Sequence, residues 1–180
     1  MSAEEDWVEV VPHDDRWVLL YRNEAAEIHS ALGGYALGIE HFGSTAVPGL
    51  VAKPIVDILA GVREGSDPRP AIDGLERLGY EYLGEDGRRP GRYFWRKRGM
   101  DAFNVSVVPH CGELWESNIA FRDFLRTHPD WAERYGQAKL SAGAASATSM
   151  LGYQDGKREF VDTLRTAAVA WAGEHGVNER

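Results

Sequence analysis

Residues 41–58 read HFGSTAVPGLVAKPIVDI, and this stretch decides how the chain folds. A strand pattern over residues 35–42 ends in Gly-Ser, and a second, more apolar strand pattern over residues 55–62 carries Asp57. The loop between the two strands is too rich in Gly and Pro for regular structure and too apolar for an ordinary surface loop. The pattern therefore predicts two buried strands joined by an irregular loop with a function of its own.

The Gly-Ser turn and the aspartate together predict a phosphate-binding site. Gly43 lets the backbone come close to a ligand, and the Ser44 hydroxyl with nearby backbone N–H groups can hold phosphate oxygens. Asp57 would face the same place, where a carboxylate at a strand end can hold Mg²⁺ against phosphates. Lys53 could pair with an anionic group. The structural alternatives are an ordinary Gly-Ser turn, a hydrogen-bonded buried Asp57 and a solvated Lys53.

The pattern outside this stretch predicts helices packed on a sheet. Apolar residues at three- and four-residue intervals predict helices over residues 14–32, 71–78, 114–126, 129–140 and 154–171. Short aromatic or β-branched runs predict strands over residues 80–83, 92–97 and 102–108, added antiparallel to the first two. The fold class is α/β (α+β), with helices flanking the sheet and a helical C-terminal part.

Length and composition favour one domain with a core of its own. The chain has 180 residues, of which 43% are hydrophobic, and we place the domain at residues 8–172 with flexible termini at 1–7 and 173–180. The single Cys111 excludes an intrachain disulfide framework and a multi-cysteine zinc site. Residues 1–7 are acidic, unlike a secretory signal, and no apolar run reaches the roughly 20 residues of a membrane helix. We expect a cytoplasmic protein without a membrane partner.

The charge is unevenly distributed along the chain. The net charge is −8, so a nucleic-acid partner is not expected. Residues 88–98 are positively charged, unlike the chain as a whole. They contain no acid and six basic residues: Arg88, Arg89, Arg92, Arg96, Lys97 and Arg98. The segment is either a solvated basic loop or an arm that recognises an anion, with Tyr93, Phe94 and Trp95 as stacking faces.

Four further features are candidates for chemistry. Asn104 and Ser106 alternate on one strand and therefore share a sheet face, which favours a common pocket. Arg122 lies on a predicted helix and either forms surface ion pairs or binds a ligand anion. His41 could act as a base or be a hydrogen-bonded strand-end histidine. The pair formed by His110 and Cys111 could bind a metal or supply a nucleophile, although a small buried Cys is the commoner case.

The stretch 41–58 resembles the hallmark of the GrpB family, also called UPF0157. The likeness continues in Val10-Val11-Pro12 with Trp17, in Pro90-Gly91-Arg92-Tyr93-Phe94, in Phe121-Arg122-Asp123-Phe124-Leu125-Arg126 with His128-Pro129, in Tyr135 with Lys139, and in Tyr153, Lys157 and Phe160. It covers the chain from about residue 8 to 165.

The resemblance implies a nucleotidyltransferase-like fold with a mixed sheet, flanking helices and a Gly-Ser motif before a metal-binding acid. It assigns Gly43 and Ser44 to the phosphates of a substrate, and we place the adjacent Thr45 in the substrate-binding set. It assigns Asp57 to Mg²⁺ and, with Ser44, to catalysis. Arg92 lies within a matching motif, so we add it to the substrate-binding set with Lys53, Asn104, Ser106 and Arg122.

Two positions depart from the family pattern. Active transferases of the superfamily pair two acids, whereas position 59 is Leu59, and many GrpB-like chains have His-x-His where this chain has Asn104 and Ser106. The leading hypothesis is a transferase-like protein that binds a nucleotide or another phosphorylated or anionic small molecule with Mg²⁺. The alternative is a catalytically silent ligand-binding or accessory domain on the same fold. A third possibility is an RNA-binding module built on residues 88–98. The excess of acidic residues in the rest of the chain disfavours it, because they would repel RNA.

Overall fold

A computed structural model describes residues 9–87, 89–145 and 149–176. In chain order the elements are α1 Arg16–Leu32, β1 Gly38–Phe42, β2 Ile55–Val62, α2 Arg69–Arg77, β3 Glu81–Glu85, β4 Tyr93–Lys97, β5 Ala102–Pro109, α3 Glu113–Thr127, α4 Pro129–Ala145, α5 Met150–Gly156 and α6 Arg158–His175. Two short 3₁₀ turns, Gly33–Tyr35 and Ser44–Ala46, flank β1.

The strands form one mixed sheet in the order β1-β2-β5-β4-β3. The predicted α/β class with a mixed sheet and flanking helices is confirmed. The prediction that all later strands join antiparallel is wrong for β5, which pairs parallel to β2. The other strand pairs of the sheet are antiparallel. A parallel neighbour needs a crossover, and α2, β3 and β4 provide the chain length for it.

The two faces of the sheet are covered by different helices. On β2, Val56, Ile58, Ala60 and Val62 face one way, into the large core that also contains residues of α1 and α2. Leu59 faces the other way and packs with Val108 and Trp115, the latter on α3. Side chains alternate along a strand, so Asp57 lies on the same face as Leu59. The position of the missing second acid is therefore part of an apolar core.

A second core lies among the C-terminal helices and includes part of the irregular loop. Val47 and Leu50 pack with Phe121 and Leu125 of α3, Tyr135 of α4, and Leu164 and Ala168 of α6. This packing explains why a loop rich in Gly and Pro is also apolar. The loop is fixed between the sheet and α3, α4 and α6.

Three of the differences between the observed and the predicted element ends change the description of the fold. The first strand begins at Gly38 and not at residue 35, because Gly33–Tyr35 form a 3₁₀ turn. The predicted helix over 154–171 is divided at Lys157 into α5 and α6. The helix α6 continues to His175 and ends at Gly176 with φ +61°, so residues 173–175, which the prediction places in the C-terminal terminus, are helical.

Some predictions fall on residues outside the described ranges. These are the termini at 1–7 and 177–180, and Arg88 of the basic segment. Within the ranges that are described, no helix combines the length and the apolar character needed to cross a membrane.

Candidate functional site

A cavity of about 390 Å³ lies between the second face of the sheet and the C-terminal helices. Its walls come from the end of β1, the following loop, the start of β2, strands β4 and β5, and α3 to α6. Seven predicted site residues line it together: Gly43, Ser44, Thr45, Lys53, Asp57, Arg92 and Asn104. Residues that are distant in sequence thus meet at one place.

Asp57 is held between two strands and the Gly-Ser loop. Asn104 is its partner in the parallel register, and Asn104 Nδ2 donates a hydrogen bond of 2.8 Å to Asp57 Oδ1. Gly43 has φ +72°, and a Cβ at this position would lie 2.7 Å from Asp57 Oδ2. Only glycine combines this backbone conformation with so close an approach. Burial raises the pKa of Asp57, while Asn104, Lys53 and Arg92 oppose the rise.

Thr45 and His41 hold the loop in place. Thr45 is buried, and its hydroxyl is 3.0 Å from His41 Nε2. The His41 ring also stacks on Tyr21 of α1, with ring centroids 4.7 Å apart. Burial, reinforced by Arg126 and Arg122, lowers the pKa of His41 to about 4. A neutral histidine in these contacts positions the loop, which favours the structural interpretation of His41 over the base.

Arg92 is oriented by two hydrogen-bonding partners. Its Nε and Nη2 lie 3.1 and 3.0 Å from Ser106 Oγ, and its Nη1 lies 3.0 Å from Asp86 Oδ2. Ser106 is buried beneath the guanidinium. Asn104 and Ser106 share a sheet face as predicted, but only Asn104 lines the cavity. Ser106 therefore acts on the site through Arg92.

Two lysines from the C-terminal helices complete the cavity. Lys139 is buried on α4, and its ammonium donates to the Val51 carbonyl. Burial, with a contribution from Lys157, lowers the pKa of Lys139 to about 6. Burial and then Lys53 lower the pKa of Lys157 to about 8, against the effect of Asp57. Nothing in the helical pattern marks these lysines as different from solvated ones; only the family resemblance singled them out.

The cavity has a strong positive charge within a negative protein. Among the described residues that line it, six are basic and one is acidic: Lys53, Arg89, Arg92, Lys139, Lys157 and Arg165, against Asp57. The cations repel one another. Burial followed by Arg89 lowers the pKa of both Arg92 and Arg165. Such a concentration of like charge is what an anionic ligand would neutralise.

The structure places Arg122 away from this cavity, so it is not brought together with the other predicted substrate-binding residues. Its guanidinium lies 2.7 Å from both Glu40 Oε2 and Asp123 Oδ1, and it donates to the His41 carbonyl. One residue along a helix rotates the side chain by about 100°. Phe121 therefore lines the cavity while Arg122 faces β1 and contributes to a separate cavity.

The basic segment 88–98 does not form a single arm. Arg89 and Arg92 line the cavity, whereas Arg96 pairs with Glu81 and Lys97 pairs with Glu24. Arg98 donates to the carbonyl of Phe103 and to the side chain of Asn104. Alternation along β4 divides the segment between the two sheet faces. Only part of it can meet a ligand in this cavity.

The other candidate pair, His110 and Cys111, lies at the separate cavity. Cys111 is exposed, which makes the buried-filler interpretation wrong, and its Sγ is 3.3 Å from His110 Nδ1. The His110 ring packs on Trp115 and against the Cα positions of Gly38 and Gly61. Across the described ranges, no group of three or more His, Cys, Asp or Glu side chains could hold a metal ion.

A family model described as GrpB protein matches residues 7–166, nearly the whole chain. The chain belongs to the GrpB family. A UPF0157 protein of Pseudomonas aeruginosa is 38% identical over 175 residues, which are 94% of this chain and 71% of that protein. The resemblance inferred from the loop and its flanking motifs is thus confirmed.

The fold is shared with a solved GrpB structure. The crystal structure of the conserved protein GrpB from Enterococcus faecalis has a TM-score of 0.82 at 32% identity, and the match covers 90% of this chain and 98% of that one. A dephospho-CoA kinase of Mycolicibacterium paratuberculosis is 26% identical over 194 residues, which span 94% of this chain and 48% of the kinase. The GrpB unit thus resembles a part of a larger protein as well as smaller chains.

Proposed function

We propose that this GrpB-family protein binds a phosphorylated small molecule with several negative charges in the cavity beside Asp57. One observation carries the proposal: six basic side chains and one acidic side chain line a space of about 390 Å³. Charge-assisted hydrogen bonds to phosphate are stronger than neutral ones, and their strength increases where water is excluded. A bound anion would also relieve the repulsion between the cations.

The parts of the cavity have separate roles in this proposal. Gly43 and Ser44 bring the loop backbone and a hydroxyl to the phosphate oxygens. Arg92, oriented by Ser106 and Asp86, supplies a fixed guanidinium fork. Lys53 and Lys157 supply point charges. The lining Asn104 both holds Asp57 and presents a neutral polar group.

Magnesium remains a prediction, and no step of the proposal uses it. Asp57 is the single carboxylate among the described lining residues, and it already accepts a hydrogen bond from Asn104. Mg²⁺ prefers six oxygen ligands and often takes them from one or two carboxylates, water and substrate phosphates. The residues present do not form a magnesium site by themselves, so any ion would depend on the ligand.

A more specific hypothesis is that the protein also transfers a nucleotidyl or phosphoryl group. Asp57 and Ser44 are the predicted catalytic residues. The raised pKa of Asp57 suits a general base. The position of a second acid, however, is Leu59 in an apolar core. The geometry therefore supports binding more directly than transfer.

An accessory role is the second candidate function. The partial match to a dephospho-CoA kinase favours a GrpB unit that works beside another activity. In that case the cavity would bind the anion without changing it. Release or incorporation of phosphate after prolonged incubation with a bound nucleotide distinguishes transfer from silent binding.

Two neighbouring cations provide the test of the proposed function. Lys157 lines the cavity, whereas Arg158 is exposed and pairs with Asp155. We expect Lys157→Met to weaken pyrophosphate binding by roughly 10- to 100-fold, the equivalent of about 1.4–2.8 kcal/mol, in isothermal titration. Arg158→Met should change it less than about twofold, because solvent screens an exposed charge. Equal small losses, or no binding to the wild-type protein, would refute the proposal.

A further inference from the structure

The aromatic rings of the cavity are covered by its cations. Lys157 Nζ and Lys53 Nζ lie 4.4 and 5.4 Å from the centre of the Tyr153 ring. Three more lining rings each have one cation over them: Arg92 lies 5.1 Å from Phe94, Arg165 lies 5.4 Å from Phe121, and Lys139 lies 4.4 Å from Tyr135. Four of the five aromatic side chains that line the cavity in the described part of the chain thus hold a cation.

This arrangement leaves little aromatic surface for a nucleotide base. A base that is recognised by stacking needs an open ring face, and such stacking contributes about 1–3 kcal/mol per base. The Tyr135 ring has a further neighbour, because it lies parallel to Phe160 at 6.1 Å. The role of the rings is therefore to hold the basic side chains in place through cation–π contacts. The fifth ring, Phe42, packs against the core formed by Leu59, Val108 and Trp115.

The cations converge on the cavity from separate elements. Lys53 precedes β2, Arg89 and Arg92 precede β4, Lys139 lies on α4, and Arg165 lies on α6. Charges that approach from several sides fit an anion whose charges are close together, and a volume of about 390 Å³ is at the small end of ligand pockets. A single phosphate ester carries at most two negative charges, fewer than the basic side chains that meet at the cavity.

We infer that the cavity recognises a compact group of two or three linked phosphates, and that the remainder of the ligand, a base included, adds little to affinity. The inference rests on the proposed function and specifies its ligand class. The cations bind the phosphates, and the aromatic rings beneath them fix the direction of each cation. Specificity then comes from the number and spacing of negative charges.

Methyl triphosphate provides a matched probe, because it carries the triphosphate monoester of ATP and UTP without sugar or base. We expect isothermal titration to give dissociation constants for the three compounds within about threefold of one another. Nucleotides that bind at least tenfold more tightly than methyl triphosphate would overturn the inference and leave the proposed anion site intact. If pyrophosphate and all three triphosphates fail to bind, the proposed function fails as well.

Two ring variants test the role of the aromatic side chains. Phe94→Leu should weaken the binding of ATP and of methyl triphosphate by the same factor, because the ring affects the ligand only by holding Arg92 in position. Phe42→Leu should leave the ratio of the two affinities unchanged. If either variant loses affinity for ATP but not for methyl triphosphate, a base stacks on that ring, which contradicts the inference. The ratio is informative even if a variant is less stable, because both ligands meet the same protein.

Discussion

Asn104 donates a hydrogen bond of 2.8 Å from its side-chain amide to Asp57 Oδ1, across the parallel pair formed by β2 and β5. This donated hydrogen bond favours the ionised carboxylate, against the larger effect of burial, which raises the pKa of Asp57. When it is ionised, Asp57 is the one negative side chain among the described residues that line the cavity. Its charge opposes the binding of an anion.

Asp57→Asn and Asn104→Asp change this local charge in opposite directions. We expect Asp57→Asn to strengthen the binding of methyl triphosphate in the presence of EDTA by roughly threefold to tenfold, up to about 1.4 kcal/mol. Asn104→Asp should weaken it, because a second carboxylate meets the ligand phosphates. Titrations of both variants, with and without Mg²⁺, measure the effect. Loss of a Mg²⁺-dependent affinity in Asp57→Asn would instead assign Asp57 to a metal.

Anion affinity should depend on pH through Lys157. Burial lowers the pKa of Lys157 to about 8, and a bound anion would raise it again. The ammonium is charged below that value, while the terminal phosphate of the ligand loses charge below about pH 6, so we expect methyl triphosphate binding to be strongest at about pH 7. Binding should weaken as the pH rises through 8, by at most about tenfold per pH unit. Lys157→Met should bind weakly at every pH without this decline; a wild-type profile flat from pH 7 to 9 would contradict the assignment.

The amino-acid sequence specified the part of the site that lies on β2 and the loop before it. The strand Ile55–Val62 has the predicted bounds because a short, mainly apolar run rich in β-branched residues between loop residues is typical of a buried strand. Gly43 and Asp57 could be assigned to one site from the sequence. A glycine that allows close approach of a ligand, followed by an acid on the next strand, is typical of a phosphate-binding site. The direction of β5 could not be predicted, since periodicity specifies which way a side chain faces and not which strand lies beside it.

The C-terminal half of the site was less accessible to sequence analysis. A buried Lys139 and a solvated lysine occupy the same positions of a helical repeat, and only tertiary packing distinguishes them. The position of Arg122 could not be predicted for a related reason, because its acidic partner Glu40 lies on β1, distant in sequence. The charge of the cavity appears only when β4, α4 and α6 are brought together.

Lys139 should lower the stability of the protein near neutral pH. Burial lowers its folded-state pKa to about 6, whereas an unfolded lysine has a pKa of about 10.4. Between these values the unfolded chain binds more protons, so the contribution of Lys139 to the unfolding free energy increases with pH, by at most about 1.4 kcal/mol per unit. We expect Lys139→Met to be more stable than wild type at pH 7 and to lose this slope.

Urea unfolding at pH 6.5, 8 and 9.5 measures both effects of the Lys139 substitution. The Val51 carbonyl loses its partner in Lys139→Met, which offsets about 1 kcal/mol of the gain. The wild type and the variant should therefore converge toward high pH. A variant that is less stable at pH 7, with the same pH slope as wild type, would show that the ammonium is favourably placed in the fold.

Gly43→Ala and Gly49→Ala separate backbone strain from close approach. Both glycines have positive φ, +72° and +76°, but a Cβ at Gly49 would meet nothing within 4 Å. We expect Gly49→Ala to lower the unfolding free energy by about 1 kcal/mol, from strain alone. Gly43→Ala should cost about 1–2 kcal/mol more and reduce anion affinity, because Asp57 must move. Equal losses in the two variants would mean that the loop adjusts freely; chemical denaturation and titration give both values.

Arg122→Met and Arg165→Met distinguish the two arginines of the C-terminal helices. Arg122 joins α3 to β1 through Glu40 and the His41 carbonyl, so its loss should lower the unfolding free energy by about 1–3 kcal/mol with unchanged affinity for methyl triphosphate. Arg165 lines the cavity, so its loss should weaken binding by roughly tenfold. The opposite pattern would move the anion site to the cavity beside Arg122.

Val47 and Leu50 tie the Gly-Ser loop to the core of α3, α4 and α6. A loop anchored in this way is not an independent lid, because it cannot swing without partial unfolding of helices far downstream in the sequence. Ligand exchange would then be limited by the opening of the cavity walls and not by loop closure. A chain cut before α6 would retain every residue of the 41–58 motif and yet lose the packing that gives the motif its shape.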